Sequence, residues 1–184
     1  MLLKVNHIIN LHDARYVAAE GIFAMTLCAD RKHHHNLPEA MIAEFITWIT
    51  GISVILDINE DYDQAFLAEK YHLGLQTRFS SQTSFPSYQP RIYSCAVAEL
   101  EILPEIPENH YYEVQLPATF SEDYIPKLNQ AIEKHRIIIQ ADFLPEKYLQ
   151  QLKPAGWSWR DHLKYSDGIL NYDEFERLKA AINP

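Results

Sequence analysis

The sequence of 184 residues has little glycine, few basic residues and no long apolar run. Five glycines occur, where average usage of ~7% would give about thirteen, so glycine-rich phosphate loops are disfavoured. The net charge of −9 would repel the phosphates of nucleic acids, and we expect no nucleic-acid partner. Because no apolar stretch nears the ~18 residues of a membrane span, we expect neither membrane insertion nor export.

Cysteine is also scarce. Cys28 and Cys95 lie far apart and form no CxxC pair. Their spacing favours neither a disulfide framework nor a redox motif, and we expect two reduced thiols in a cytoplasmic protein.

The chain alternates between short branched apolar segments and amphipathic segments with short links. The pattern predicts strands at 2–9, 23–28, 53–58, 73–78, 91–97, 110–116, 136–142 and 156–161. It predicts helices at 11–20, 38–50, 59–72, 122–134, 145–152 and 172–182, a loop at 79–90 and a degenerate turn at 100–107. Strands alternating with crossovers are parallel, and about eight such units close a barrel. We therefore predict an α/β fold, a trimmed (β/α)8 TIM barrel forming a single domain over 1–184; a flavodoxin-like open sheet is the alternative.

In such a barrel the active site lies at the C-terminal ends of the strands. The predicted ends carry polar or thiol side chains at nearly every strand: Asn6, His7, Cys28, Asp30, Asp57, Asn59, Gln76, Arg78, Cys95, Glu113, Gln115, Gln140, Asp142, Arg160, Asp161 and His162. We expect a small-molecule ligand there.

The stretch from Lys4 to Gly21 resembles the opening motif of the phosphoribosylanthranilate isomerases, K-V-C-G-I-T-N-x-x-D-A. The matching positions are Lys4, Val5, Ile8, Asn10, Asp13 and Ala14. Thinner matches follow in the right order at Lys32, Pro38-Glu39, Asn59-Glu60, Gln76, Pro145-Glu146, Gly168 and Asp173. The resemblance thus extends over most of the chain and implies the same barrel.

The resemblance also implies a reaction, an Amadori rearrangement that needs a general base and a general acid. The family's base is a cysteine on the first strand, where this chain has Asn6, and an amide is not basic near neutral pH. His7 is a candidate base, but adjacent strand residues face opposite ways, so we expect it to point away from the barrel interior. Glu113 is the candidate acid; otherwise it is a solvated charge at a strand end.

The family's phosphate glycines after strands seven and eight are missing here. Asp142 stands at one of them, and two like charges ~4 Å apart cost about 4 kcal/mol at a dielectric near 20, on the order of a thousandfold in affinity. Arg160 or Lys164 could offset this cost. The family's second-loop Arg is replaced by His34 or His35. The candidate ligand-binding residues are Arg78, Asp142, Arg160 and His162.

The run His33–His35, with Asp30 nearby, suggests adventitious Zn²⁺ or Ni²⁺ binding. Consecutive imidazoles do not converge on one ion without an unusual loop. We therefore assign no metal site, and we expect no cofactor.

Three functions remain open. The first is a divergent isomerase-like barrel that has lost the reaction, either a pseudoenzyme or a binder of another small molecule at its mouth. The second is an active isomerase with His7, Glu113 and Arg160 in relocated roles. The third is an interaction protein whose contact surface draws on the eleven tyrosines. We expect a monomer or a homodimer, and a monomer without a large exposed apolar patch would count against the third function.

Overall fold

A computed structural model describes residues 1–80, 90–160, 163–165 and 169–182. Eight parallel strands follow one another around a closed barrel, and the last pairs with the first. The strands are β1 (Leu2–Val5), β2 (Ala24–Cys28), β3 (Ser53–Asn59), β4 (Gly74–Arg78), β5 (Arg91–Ala96), β6 (His110–Gln115), β7 (Ile137–Gln140) and β8 (Gly156–Trp159). The predicted barrel is confirmed, and the open-sheet alternative is wrong.

The strands are joined by α1 (Leu11–Ala19), α2 (Glu39–Trp48), α3 (Ala65–Tyr71) and α4 (Tyr124–Lys134), and α5 (Tyr172–Ile182) follows β8. Short 3-10 turns stand at Tyr62–Gln64, Val97–Ile102 and Glu146–Tyr148. The barrel is trimmed after β5 and after β7, where a single 3-10 turn replaces the helix. Residues 81–89, most of the predicted loop after β4, lie outside the described residues.

Two helix predictions need correction. The helix expected at 145–152 is only the turn Glu146–Tyr148, which extended Pro145 precedes (ψ 135°). The helix expected from residue 59 begins at Ala65, because Asn59 ends β3 in a left-handed conformation (φ 46°). Both segments have apolar residues at helical spacing. In the first the backbone forms only the short turn, and in the second it turns at Asn59 before the helix begins.

The first βα unit forms as its sequence predicts. Asn10 is extended and its side chain accepts a hydrogen bond from the amide of Asp13 at 2.8 Å, which caps α1. The Asp13 carboxylate in turn accepts bonds from the amide of Leu170 and the hydroxyl of Tyr172. This contact holds the chain after β8 against the start of α1, next to the mouth of the barrel.

The barrel closes where β8 lies against β1. A Cβ on Gly156 would come within 2.7 Å of the Leu2 carbonyl, so this position needs glycine. Most of the apolar core fills the space between strands and helices. A second apolar cluster lies at the N-terminal ends of the strands: Ala24, Ile55, Ile92, Tyr111 and Ile138. In the part of the chain that is described, no helix is long and apolar enough to cross a membrane.

Candidate functional site at the mouth of the barrel

A buried ion pair stands in the centre of the barrel. Lys4 Nζ lies 2.7 Å from Glu113 Oε1, and neither side chain is exposed to solvent. Asn6 is hydrogen-bonded to Lys4 and donates to the same Glu113 oxygen at 3.1 Å. Gln76 donates to the other oxygen at 2.8 Å. Side chains of β1, β4 and β6, together with Asn6 just after β1, thus form one buried network, so Glu113 is not the solvated strand-end charge considered above.

The protonation of Glu113 follows from these partners. Burial opposes its charge, but the Lys4 ammonium and the hydrogen bonds it accepts lower the pKa of the carboxyl below its ordinary value. A carboxylate with a lowered pKa accepts hydrogen bonds and has no proton to give near neutral pH. Glu113 is therefore built to balance Lys4.

His7 adopts an unexpected orientation. Its backbone is left-handed (φ 55°), which breaks the alternation of a strand, and β1 has already ended at Val5. The His7 amide donates to Thr26 Oγ1 at 2.8 Å, which holds this turn in place. The expectation that His7 points away from the barrel when Asn6 faces inward is wrong, because His7 lines the cavity at the strand ends and contacts Asp57 while Asn6 donates to Glu113. Left-handed residues other than glycine are uncommon and cluster at functional sites.

His7 is oriented by Asp57. Its Nε2 lies 2.9 Å from Asp57 Oδ2, and the other Asp57 oxygen accepts the amide of Asn59 at 3.0 Å. Burial lowers the pKa of His7 and outweighs the attraction of Asp57 for the charged ring, so the imidazole is neutral near pH 7. A neutral ring that donates from Nε2 to a carboxylate carries its lone pair on Nδ1.

A cavity of about 230 Å³ opens beside this pair. Residues from β1 to β3 form most of its wall, and the ends of β5, β6 and β8 complete it: His7, Cys28, Asp30, His33, Asp57, Asn59, Ser94, Gln115 and Arg160. Burial and the charge of Asp57 raise the pKa of Cys28 to about 12, which keeps the thiol protonated without a positive partner. The cavity is below the ~300 Å³ of ordinary ligand pockets, so it suits a small polar occupant.

On the side of β7 and β8, a carboxylate of the chain covers a backbone amide. Both oxygens of Asp142 lie on the amide of Arg160, at 3.0 and 3.1 Å, and Gln140 donates to Asp142 at 2.8 Å. Barrels that bind phosphate use backbone amides after these strands for the ligand. Here a carboxylate of the chain itself accepts that amide.

Of the other residues predicted at the strand ends, some line the cavity and some do not. Arg160 lines the cavity, whereas Arg78 is bonded to Glu99 at 2.8 Å and does not line it. His162 lies outside the described residues. Cys95, at a predicted strand end, packs in the apolar core outside the barrel.

Sequence reasoning missed three participants in its site assignments: Lys4, Asp57 and Cys28. A usable signal existed for the first, since Lys4 and Asn6 are polar residues two apart in an apolar stretch and so share one face. Asp57 and Cys28 were recognised as strand-end residues, but nothing in their spacing joined them to His7.

The structure belongs to the class of eight-stranded parallel barrels, with a polar site at the C-terminal ends of the strands. No family model matches the chain, and no curated protein matches it by sequence. Its structure is similar to that of TrpF from Jonesia denitrificans, with a TM-score of 0.78 and 14% identity, over 100% of this chain and 97% of the other. It is similar as well to phosphoribosyl anthranilate isomerase from Thermotoga maritima (TM-score 0.75, 10% identity, coverage 100% and 99%).

A third similar structure is a phosphoribosyl anthranilate isomerase in complex with reduced 1-(o-carboxyphenylamino)-1-deoxyribulose 5-phosphate (TM-score 0.76, 11% identity, coverage 100% and 98%). The chain therefore shares its fold, over its whole length, with the phosphoribosylanthranilate isomerases. At identities of 10 to 14%, these likenesses show the fold alone.

Proposed function

We propose that this chain is a divergent member of the phosphoribosylanthranilate isomerase family that no longer catalyses the Amadori rearrangement. Its ligand, bound at the mouth of the barrel, is a small molecule that carries no sugar phosphate. The observation that carries the proposal is the environment of Glu113: the candidate acid is fully buried and bonded to Lys4, Asn6 and Gln76. A carboxylate held in this way cannot protonate a ring oxygen.

Two further contacts support the proposal. Asn6 stands where the resemblance implies the catalytic base, and its amide nitrogen donates to Glu113. Asp142 accepts the amide of Arg160, a group that a phosphate would otherwise approach. An incoming phosphate would meet that carboxylate, at the cost of about 4 kcal/mol given for two charges ~4 Å apart. Base, acid and phosphate site are thus compromised together.

The proposal is tested in a bacterial strain that lacks phosphoribosylanthranilate isomerase, on medium without tryptophan. We expect no growth when the chain is expressed, while TrpF from Jonesia denitrificans restores growth. Immunoblotting checks that both proteins are present. Isothermal titration with reduced 1-(o-carboxyphenylamino)-1-deoxyribulose 5-phosphate should show no binding at micromolar concentrations. Growth supported by this chain would contradict the loss of activity.

A second candidate, an active isomerase with relocated residues, is favoured by one contact. Asp57 orients His7 at 2.9 Å, as a carboxylate orients a catalytic base. This candidate still needs a proton donor, which Glu113 does not supply. It predicts growth in the same strain and loss of that growth in His7→Ala and Arg160→Ala, whereas the first candidate predicts no growth to lose.

For location we propose the cytoplasm. Cys28 and Cys95 are both buried and free, as expected of thiols in a reducing compartment.

A further inference from the structure

The cavity wall brings together three side chains that bind transition metals. The ligand atoms of His7, Cys28 and His33 all lie within 4.8 Å of one another. His7 follows β1, Cys28 ends β2, and His33 lies in the loop after β2, so two neighbouring strands and one loop supply the set. Thiolate and imidazole are the ligands that zinc prefers in proteins.

A second observation points to a ligand on His7. Its buried Nδ1 has no hydrogen-bond partner among the residues that the structure describes, while Nε2 is bonded to Asp57 at 2.9 Å. Metal-binding histidines almost always donate their other ring nitrogen to a carboxylate or carbonyl. Within the described part of the chain, His7 therefore has one ring nitrogen left for a ligand and a supporting carboxylate on the other.

We propose that His7, Cys28 and His33 form a binding site for a divalent transition metal of the zinc type, with Asp57 as the positioning residue of His7. A metal bound by three protein ligands keeps one position for water or another ligand, as in catalytic zinc sites. The cavity of about 230 Å³ provides the space for it. The site does not depend on the proposed loss of isomerase activity.

The geometry asks for a small adjustment. Ligands around tetrahedral zinc stand about 3.5 Å apart, given bonds of about 2.0 to 2.3 Å, so the cluster must contract by roughly 1 Å. His33 is half-buried in a loop and can supply that movement without shifting a strand. His33 Nδ1 accepts the amide of His35 at 3.1 Å, and binding through Nε2 would break this bond.

Two carboxylates and two cations surround the cavity. Asp30, Asp57 and the Arg160 guanidinium line it, and the Lys164 ammonium donates to the His7 carbonyl at 2.6 Å, so the preference for a metal rests on the ligand atoms and not on net charge. A bound divalent ion also explains how a buried thiol would ionise, since a coordinating thiol is deprotonated outright. From the sequence we assigned no metal, because the consecutive histidines near Asp30 do not converge on one ion; the structure instead groups His33 with His7 and Cys28.

The test uses the full chain, treated with chelator and titrated with Co²⁺. We expect one equivalent to bind with the near-ultraviolet charge-transfer band of a cobalt–thiolate bond, and one equivalent of Zn²⁺ to remove that band. Cys28→Ala should lose the band, whereas Cys95→Ala, which removes the other buried thiol, should keep it. His33→Ala should weaken binding by at least about tenfold, whereas His34→Ala should not.

Three results would overturn the site. They are a wild-type chain without the thiolate band, a band that survives Cys28→Ala, and equal loss in His33→Ala and His34→Ala, the mark of adventitious binding by the run. Circular dichroism checks the fold of each variant. If Cys28→Ala does not fold, the test is the Co²⁺ affinity of His33→Ala compared with that of His34→Ala, since both residues lie in the loop. None of these readings measures isomerase activity, so the two proposals fail separately.

Discussion

The two sides of the barrel mouth differ in which of their ligand-binding groups are already bonded within the chain. On the side of β7 and β8, Asp142 accepts the amide of Arg160 and the amide group of Gln140, so an anion site is filled by the chain itself. On the side of β1 to β3, His7 lies close to Cys28 and His33, and its Nδ1 has no partner among the described residues. The chain thus covers the amide that a phosphate would use, and on the other side it leaves imidazole and thiol ligands near one another. This arrangement suits a cation better than an anion.

Between the two sides stands the Lys4–Glu113 pair, and its removal has the largest expected effect. Glu113→Gln leaves the buried Lys4 without its counter-charge, which typically costs about 3 to 5 kcal/mol of folding free energy. Urea unfolding followed by circular dichroism measures it. Glu101→Gln removes a solvent-exposed pair with Lys127 and is the matched control, with little change expected. Equal urea midpoints for the two variants would show that the buried Lys4–Glu113 pair contributes no more to folding stability than an exposed pair.

The closed side can be opened by removing its carboxylate. Asp142→Gly frees the amide of Arg160, and we expect affinity for the reduced sugar-phosphate analogue to rise, by up to on the order of a thousandfold if the full like-charge cost of about 4 kcal/mol is relieved. Isothermal titration measures the change.

Glu146→Gln changes net charge by the same amount, but it alters a carboxylate bonded to Arg177 and leaves the Arg160 amide covered. Equal gains in Asp142→Gly and Glu146→Gln would mean that overall charge, and not the covered amide, excludes the anion.

The open side can be weakened without touching a metal ligand. Asp57→Asn keeps the shape next to His7 but removes the negative charge that orients the ring. We expect Co²⁺ affinity to fall by roughly 10 to 100-fold with the thiolate band retained, because such supporting groups contribute that much. Asp63→Asn, on the exposed surface, is the control. An unchanged affinity in Asp57→Asn would remove Asp57 from the site.

The smallest effect concerns pH. Because the folded pKa of Glu113 is lowered, its contribution to stability is complete above the unfolded value of about 4.3 and is lost as the pH falls through the folded pKa. Wild-type stability should therefore drop more steeply below about pH 4 than that of Glu113→Gln, in urea titrations at several pH values. Parallel curves for the two proteins would show that Glu113 is not held as a carboxylate.

The sequence was informative wherever local pattern fixes structure. Alternating strands and helices predicted the barrel, whereas the shared face of the polar pair Lys4 and Asn6 was a signal that the site assignment did not use. The orientation of His7 could not be predicted, because alternation fails once a residue turns left-handed. The helix at 145–152 was overestimated, since its apolar spacing says nothing about the extended backbone at Pro145.

The cluster at the mouth was harder still to predict. His7 meets Cys28 only because β1 pairs with β2 in one register, Val5 opposite Met25. Its contact with Asp57 needs the pairing of β2 with β3 as well, Cys28 opposite Asp57. A single sequence lists such residues at strand ends without their distances, and the turn that brings His33 back over the mouth has no regular period.

The most direct test of this account is a crystal structure of the wild-type chain soaked in zinc sulfate, which offers a cation and a phosphate-like anion together. We expect an anomalous zinc peak bound by His7, Cys28 and His33, with Asp142 still on the amide of Arg160 and no sulfate at that amide. A sulfate on that amide, with no zinc between the three side chains, would contradict it.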